Sequence, residues 1–310
     1  MAGMTTIFRK ELADHLGSRR IAVISTIIIL ASLSAVLSAV ESPTLLQQDS
    51  AALFLSLLTE RSGNLPSFLF FVTFLVPILG ILLGFDAINA ERQRGTLSLL
   101  ISQPVYRDAL INGKFLAALA AMALMMGGIL ALIGGISMAK LGIAPNGAEI
   151  LRALVFFGAA MLYASFWLSV AILFSVLFDK TSTSALAAIA LWIFLAFFVQ
   201  LVAGVVADHI VPVGRESPAE EVLRHEHLRM NLMRLSPAYL LQEVSLVVLN
   251  PSVRILGPID VSRLQGVIPS ALDIGQSLMV IWPQLTALAA LSIVCFGVSY
   301  IAFMRREIRS

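Results

Sequence analysis

Charged residues are scarce in this sequence, and their scarcity excludes a water-soluble globular protein. Asp, Glu, Lys and Arg make up 13% of the 310 residues, whereas 58% of the residues are hydrophobic and the mean hydropathy is +0.92. Soluble domains carry roughly 25% charged residues. A core built from a chain of this length cannot hide so much apolar surface from water, so we expect a lipid bilayer to cover it.

Cysteine and clustered basic residues are also nearly absent. Cys295 is the one cysteine, which excludes an internal disulfide and a cysteine-rich metal site. It lies in an apolar stretch, where a small buried hydrophobic residue is the ordinary interpretation. The net charge is +2 and no basic run carries interleaved aromatic residues, so nucleic acid is not an expected partner. We expect no metal and no cofactor in this chain.

A nucleotide-binding motif is missing as well. The G-x-x-x-x-G-K-[ST] motif supplies the glycine-rich loop that cradles nucleotide phosphates. The one Gly-Lys pair of this sequence, Gly113-Lys114, has Asp108 where the first glycine should be and Phe115 where Ser or Thr should be. If ATP drives this protein, the nucleotide therefore binds to another chain.

Uncharged stretches of about 20 residues recur along the chain, and a helix of that length crosses the hydrocarbon core of a bilayer. None of them contains Asp, Glu, Lys, Arg or His. The predicted fold class is an all-α integral membrane protein with six transmembrane helices. The predicted spans are residues 21–40, 68–85, 115–139, 153–178, 183–206 and 278–304.

Small residues and prolines inside the spans predict local geometry. Gly80 and Gly84 form a G-x-x-x-G pattern in the second span, which lets helices approach closely. Contact within one chain and contact between two copies are both open at this point. Pro77 and Pro283 can kink spans two and six.

The distribution of Lys and Arg predicts the orientation, because short cytoplasmic loops are enriched in both. With the N-terminus inside, the inner segments hold twelve of these residues and the short outer loops hold three. Both termini are therefore expected in the cytoplasm, and the location is the cell (inner) membrane of a prokaryote. The chain divides into residues 1–20, spans one to five over 21–206 with a cytoplasmic loop at 86–114, an extracytoplasmic insert at 207–277, and span six with its tail at 278–310.

Two segments outside the spans are predicted to be helical. Met4, Phe8, Leu12 and Leu16 recur every four residues, so residues 4–20 form a helix with one apolar stripe, lying on the inner leaflet or capping the bundle. In the insert, Ser217-Pro218-Ala219-Glu220 resembles a capping box, which predicts a helix from Pro218 to about Arg234. A second helix is expected between Ser236 and Asn250, and the insert as a whole is expected to face water.

The loop between spans two and three predicts a docking element. Gly95 can end the helix that continues from span two, and Thr96 can cap a short helix that carries Leu97 and Leu100 and stops before Pro104. A short amphipathic helix held under the membrane by two spans is suited to fill a groove on a soluble partner.

Residues of this loop closely resemble the E-x-x-x-G-T-L-x-x-L-L-x-x-P-V-x-R…K pattern of ABC-2-type transporter permeases. The matching positions in this sequence are Glu91, Gly95, Thr96, Leu97, Leu99, Leu100, Pro104, Val105, Arg107 and Lys114. The segments 9–12 and 179–185 resemble the elbow helix and the second cytoplasmic loop of the same family. Within the family, the sequence most resembles permeases of multi-copper enzyme and nitrous-oxide reductase maturation.

The resemblance implies how such a chain works. Two permease copies, identical or paralogous, pair in the lipid bilayer, and each binds a cytoplasmic ABC ATPase subunit that holds ATP and Mg²⁺. The chain would then be a transport subunit, most simply of an exporter, without catalytic residues of its own. The implied ATPase-docking residues are Glu91, Arg94, Gly95, Thr96, Leu97, Leu100, Pro104 and Arg107.

Three alternatives stay open. An ion-coupled secondary transporter or a membrane-embedded enzyme needs polar groups at mid-membrane, and the predicted spans offer little beyond Gln200 and scattered Ser and Thr. The other alternative keeps the ATPase partner but replaces transport by a mechanical action on an envelope protein through residues 207–277.

Overall fold

The structure, a computed structural model, describes residues 2–42, 53–60, 66–96, 106–142, 144–214, 217–254, 256–257 and 271–306. Helices form all the regular structure in these ranges, and the described residues contain no strand. The helices are α1 (Ala2–Gly17), α2 (Arg19–Val40), α3 (Leu53–Thr59), α4 (Phe68–Gly84), α5 (Asn89–Gln93), α6 (Arg107–Ile136), α7 (Gly147–Leu177), α8 (Thr181–Ile193), α9 (Val199–Ile210), α10 (Ala219–Met233), α11 (Pro237–Leu249) and α12 (Ile274–Arg305).

Six helical segments are long and apolar enough to cross a membrane, as the sequence predicted. Spans one to four are α2, α4, α6 and α7, span five is α8 continued by α9, and span six is α12. The bundle has two ends. The loop end carries α1, α5 and the turn between spans four and five, and the sequence predicts it to be cytoplasmic. The insert end carries α3, α10 and α11.

The spans extend further than the sequence predicted. Span three begins at Arg107 rather than at residue 115, and span four begins at Gly147 rather than at residue 153. The predicted bounds stopped at the nearest charged residue, but a helix continues past a charge whose side chain finds partners. Lys114, Glu149 and Arg152 are therefore helical and buried, and the expectation of charge-free spans is wrong at these ends.

Two spans depart from regular α-helix. Residues Phe194–Phe198 form a π-helical turn between α8 and α9, and residues Ser137–Leu141 form another at the end of span three. Single π turns shift the register of one face of a helix without breaking its hydrogen bonding. Pro77 and Pro283 lie inside spans two and six, as expected.

Span four is the centre of the bundle. Within its most apolar window, 72% of the residues are buried inside the chain, against 11% for span five and 22% for spans one and six. Its ring-bearing residues Phe156, Tyr163 and Trp167 are among the largest fully buried side chains. Spans one, five and six therefore supply the surface that faces lipid or another subunit, whereas span four faces other helices of its own chain.

Gly80 and Gly84 allow span two to approach span four. A Cβ atom on Gly84 would lie 2.7 Å from the Cβ of Ala171 and 3.1 Å from the carbonyl oxygen of Leu168. A Cβ atom on Gly80 would lie 3.2 Å from the backbone nitrogen of Leu168. Both glycines are used within one chain, so the alternative in which they join two copies is wrong.

The insert forms the two predicted helices, α10 and α11, but only one of them is exposed. No residue of α10 is buried, whereas ten of the thirteen residues of α11 are, because α11 packs into the bundle against spans four and six. The two helices meet at an angle of 114°. The expectation of a water-facing insert is therefore wrong for α11. The predicted capping box is also wrong, since α10 has no side-chain cap and the Ser217 hydroxyl accepts from the Gly214 amide, 3.0 Å away.

Helix α1 packs along span three rather than standing alone. A Cβ atom on Gly113 would lie 2.7 Å from the Cγ2 atom of Ile7, and Glu11 is buried on the same face. The predicted apolar stripe is not this face, because Leu16 is 59% exposed and the other three stripe residues are only half-buried. Helix α1 thus caps the bundle through Ile7 and Glu11, with part of its apolar stripe left outside.

Candidate functional site

The predicted docking residues lie partly within the described residues. Glu91, Arg94, Gly95 and Thr96 stand between span two and the predicted docking helix, and Arg107 begins span three. Leu97, Leu100 and Pro104 lie outside the described residues. The described part of the site therefore consists of the base of the loop and the helices that hold it.

A sharp turn at Gly95 ends the helical continuation of span two. Gly95 has φ of +69°, in the left-handed region that favours glycine, as its place in the sequence predicted. The Arg94 amide donates to the carbonyl of Ala90 and the Gly95 amide to that of Arg92, both of which lie in the last turn of α5. The Thr96 hydroxyl bonds back to Glu91, at its carbonyl and its carboxylate. The chain therefore leaves α5 in one defined direction.

Lys114 joins this turn to α1. Its ammonium nitrogen lies 2.8 Å from a carboxylate oxygen of Glu11 and 3.7 Å from one of Glu91. The Lys114 side chain is 6% exposed, and those of Glu11 and Glu91 are 11% and 17% exposed. A buried ion pair with both partners in place resists separation, because removing one partner leaves a charge without compensation. The base of the loop is thus held to both α1 and span three.

The ionisation of Glu11 reflects this arrangement. Burial by itself would raise the pKa of Glu11, but the nearby ammonium groups of Lys114 and Lys10 lower its pKa below the ordinary value of 4.5. Burial also lowers the pKa of His15, on the next turn of α1, below 6.5. Both shifts mean that the unfolded chain binds more protons than the folded one.

Acid is therefore expected to weaken the attachment of α1. Because the folded-state pKa of Glu11 is depressed, its contribution to stability is present above pH 4.5 and declines as the pH falls through the folded-state pKa. The melting temperature of the purified protein should fall as the pH is lowered from 5 to 3, and the part of this fall that belongs to Glu11 should vanish in Glu11→Gln. A Glu11→Gln variant with the same pH profile as the parent would contradict this assignment.

A second charged group connects the other elements of the loop end. Asp179, in the turn between spans four and five, accepts from Arg92 at 2.9 Å and from Arg306 at 2.6 Å, and its backbone carbonyl accepts from Gln93. Arg306 also donates to the last carbonyls of span four, those of Val176 and Leu177. The sequence had identified the 179–180 turn but not this group, since its members are far apart in the chain.

Span four contacts the base of the loop directly as well. The buried hydroxyl of Ser175 accepts from the backbone amides of Ile88 at 2.9 Å and Asn89 at 3.2 Å. These amides begin α5 and have no partner within that short helix. One serine of span four therefore caps the helix that leads to the turn at Gly95. Sequence reasoning missed Ser175 because a serine in an apolar span gives no signal of its partner.

The other predicted charges lie at the rim. Arg94 is exposed and lines a cavity of about 340 Å³ between α1 and α5, together with Asp14, Asp86 and Lys114. Arg107 is half-buried and donates to the carbonyl of Arg306 at 3.4 Å. Arg94 thus remains accessible to a soluble partner, whereas Arg107 braces the start of span three against the end of span six.

The described residues contain no cluster of three or more His, Cys, Asp or Glu side chains that could hold a metal ion. His225 of α10 bonds to Asp208 at 2.9 Å. The loop end presents ion pairs, capped backbone amides and a fixed turn.

Comparisons with known proteins agree with this architecture. The family model described as ABC-2 family transporter protein matches residues 5–308. The chain is 29% identical over 308 residues to a Pseudomonas aeruginosa protein named "Probable ABC transporter permease protein NosY", and the match covers 98% of both chains. A protein of the same name from Stutzerimonas stutzeri is 34% identical over 109 residues, which is 35% of this chain and 36% of that protein.

Proposed function

This chain belongs to the ABC-2 family of transporter proteins and is a permease subunit of an ABC transporter, and from that premise we propose that a separate ATPase docks on the loop between spans two and three. ATP and Mg²⁺ are held by that ATPase, and its closure pushes the loop and shifts the spans. The permease itself carries no catalytic residue. It works as a pair, with an identical or a paralogous copy, in the inner membrane with both termini cytoplasmic.

One observation carries this proposal: the base of the loop is bonded to α1, to span three and to the turn after span four. Glu91 reaches α1 and span three through Lys114, and Arg92 reaches the turn after span four through Asp179. A loop that hung freely under the membrane would absorb a push as local bending. A loop whose base is tied to several helices passes the push on to them.

Export of a cargo is the form of transport that we propose. A cavity of about 620 Å³ lies at the insert end, between the start of span two and α11, within the usual volume range of small-molecule sites. Phe70, Leu246 and Tyr239 line it beside Gln242, Asn250 and Glu243, whose carboxylate is paired with Arg234. Such a mixed lining suits an amphipathic molecule better than a bare ion.

The docking helix can be tested by charge substitution. Leu97→Asp and Leu100→Asp place a carboxylate on the face that is proposed to enter a groove of the ATPase. Each is expected to weaken the association by about 2 kcal/mol or more, about 30-fold, as truncation of an interface hot spot does. Co-purification of the ATPase with the tagged permease from detergent extracts measures this loss.

The matched control is Leu235→Asp, which adds the same charge at a 67% exposed leucine of the insert end. It should leave ATPase association unchanged, and all three variants should insert into the membrane at parental levels. If the ATPase co-purifies with both loop variants as well as with the parent, the docking proposal is wrong.

A second candidate replaces cargo by a mechanical action on an envelope protein. Helix α10 supports it, because this helix has no fully buried residue although one side of it packs on span five, so its other side is open to a partner. ATPase activity of the reconstituted complex distinguishes the two candidates. Stimulation by an envelope protein, with no response to amphipathic small molecules, favours mechanical action, and the reverse favours export.

The structure weakens the third candidate, ion-coupled transport, although it does bring a carboxylate into the bundle. Glu243 of α11 is buried and accepts from Gln284 of span six at 3.0 Å, which the sequence had not predicted. Both of its oxygens also accept from Arg234, at 2.9 Å. A carboxylate whose acceptor positions are already occupied by a guanidinium is poorly suited to bind and release a proton or cation.

A further inference from the structure

The insert end of span four holds a buried arginine with three partners. Arg152 is 5% exposed and lies in the second turn of the helix that begins at Gly147. Its Nη1 donates to the carbonyl of Val248 at 3.0 Å and to the hydroxyl of Ser277 at 3.2 Å, and its Nη2 donates to the carbonyl of Leu272. One side chain thus joins span four to the last turn of α11 and the first turn of span six.

These partners make it costly to separate span four from α11 and span six at Arg152. The carbonyl of Val248 belongs to the C-terminal end of α11, where unpaired carbonyls and the helix dipole favour a cation. A guanidinium that is buried without such partners would lose its hydration with no compensation. Any movement of span four relative to α11 would break this arrangement, so the two elements are expected to move together.

A second side chain of the same helix holds another part of the insert end. One carboxylate oxygen of Glu149 accepts from the backbone amide of Phe54, at the start of α3, at 3.1 Å. The other completes a capping box with Asn146. Span four is thereby bonded to α3 as well as to α11.

The opposite end of span four holds the base of the docking loop. Ser175 accepts from the first amides of α5, and Asp179, just after the helix, pairs with Arg92. The 31 residues of the helix span about 46 Å at 1.5 Å per residue. Along that length the helix has the close glycine contacts with span two and a 2.9 Å hydrogen bond between Ser165 and Ser292 of span six. Span four is therefore a stiff element that is attached at both ends.

Helix α10 follows a different part of the bundle. It packs on the end of span five, where His225 contacts Asp208, whereas α11 is held by span four. The two helices are joined at a 114° bend, which Arg234 and Glu243 bridge with their ion pair at 2.9 Å. A displacement of span four relative to span five must therefore change the angle between α11 and α10 at this bend.

We propose that span four transmits the movement of the docking loop to the insert end, with Arg152 as the positioning residue that makes α11 follow span four. The proposal rests on the proposed function, since the movement at the loop comes from the docked ATPase. The output is a change in the angle between α11 and α10. This change would alter the cavity beside α11 in an exporter, or the face shown to an envelope protein in a mechanical complex.

The test measures two distances in the complete complex with its ATPase, reconstituted in lipid nanodiscs with one labelled copy per complex. In a Cys295→Ala background, nitroxide pairs are placed at the exposed positions Gln242→Cys and Arg224→Cys, which report α11 against α10. A second pair, Arg9→Cys and Lys180→Cys, reports the loop end. Electron double resonance then compares the nucleotide-free complex with the complex trapped by ATP and vanadate.

In the parent complex, nucleotide should shift both distances. In Arg152→Gln the shift at the loop end should persist and the shift at the insert end should be lost. Ser277→Ala removes only one of the three partners of Arg152 and is therefore the milder variant. It should reduce the distance change at the insert end. Lys140→Gln, which removes an exposed positive charge from the same end, is the matched control and should keep both shifts.

Three other results would each overturn a different part of the proposal. An unchanged insert shift in both Arg152→Gln and Ser277→Ala would overturn the role of Arg152. A parent complex that shifts at the loop end alone would overturn transmission by span four and leave the docking proposal intact. A parent complex in which neither distance responds to nucleotide would overturn the proposed function itself.

Discussion

Replacing Lys114 by methionine is expected to destabilise the protein by about 3–5 kcal/mol, the usual cost of removing one partner from a buried ion pair. Methionine fills a similar volume but removes the ammonium that now lies 2.8 Å from a carboxylate oxygen of Glu11 and 3.7 Å from one of Glu91. Glu91 then loses its ammonium partner, and Glu11 keeps only the exposed Lys10. The variant should also lose ATPase association, because Glu91 carries the turn that directs the docking loop. Thermal unfolding in detergent and ATPase co-purification measure the two effects.

The neighbouring lysine provides the control. Lys10 pairs with the same Glu11 at 3.1 Å, but its side chain is 56% exposed, so Lys10→Met should cost about 1 kcal/mol or less. Adding Glu11→Gln to Lys114→Met should restore part of the lost stability, since it removes a buried charge whose remaining partner, Lys10, is exposed. Equal melting temperatures for the Lys10 and Lys114 variants would show that the buried network does not hold α1.

Gly84→Leu is expected to lower the free energy of unfolding by about 3 kcal/mol, at the upper end of overpacking effects. The first added atom alone would lie 2.7 Å from the Cβ of Ala171 and about as close to the backbone of span four as any real contact allows. Since the obstacle is another helix rather than the end of a flexible side chain, spans two and four must separate. We expect a large fall in the melting temperature and in the amount of folded protein recovered from membranes.

Gly128 makes a matched control for this substitution. It lies in span three, where an added Cβ meets no atom within 4 Å, and glycine is itself unfavourable inside a helix by about 1 kcal/mol. Gly128→Leu should therefore be neutral or mildly stabilising, and Gly84→Ala should fall between the two leucine variants. Equal stability of the two leucine variants would mean that spans two and four are not closely packed.

Much of the architecture could be predicted from local patterns. A run of apolar residues must be a helix in lipid, because an unpaired backbone amide or carbonyl costs several kcal/mol there. For that reason the six spans were predicted at nearly their observed positions, as was the turn at 179–180. Gly95 was predicted equally well, since a helix that ends on glycine commonly does so through the left-handed region.

The errors of prediction at buried charged residues share one cause. Glu149, Arg152 and Glu243 were assigned to loops or to a water-facing insert because a charge is costly in an apolar environment. That cost depends on the partners, which here are the amide of Phe54, the carbonyls of Val248 and Leu272, and the guanidinium of Arg234. Apart from Arg234, which is nine residues from Glu243, these partners are 95 to 120 positions away along the chain, so no local pattern contains them.

The same division applies to the candidate site. The sequence by itself determined that the chain crosses a membrane, that it lacks a nucleotide-binding loop, and that a glycine-marked turn follows span two, because composition, length and backbone preference are properties of a residue and its near neighbours. Only the tertiary structure decided which charges are buried together, that Gly80 and Gly84 face span four of the same chain, and that span four touches both the docking loop and α11. Those features are distances between residues separated by tens to hundreds of positions, and they exist only once the helices have packed.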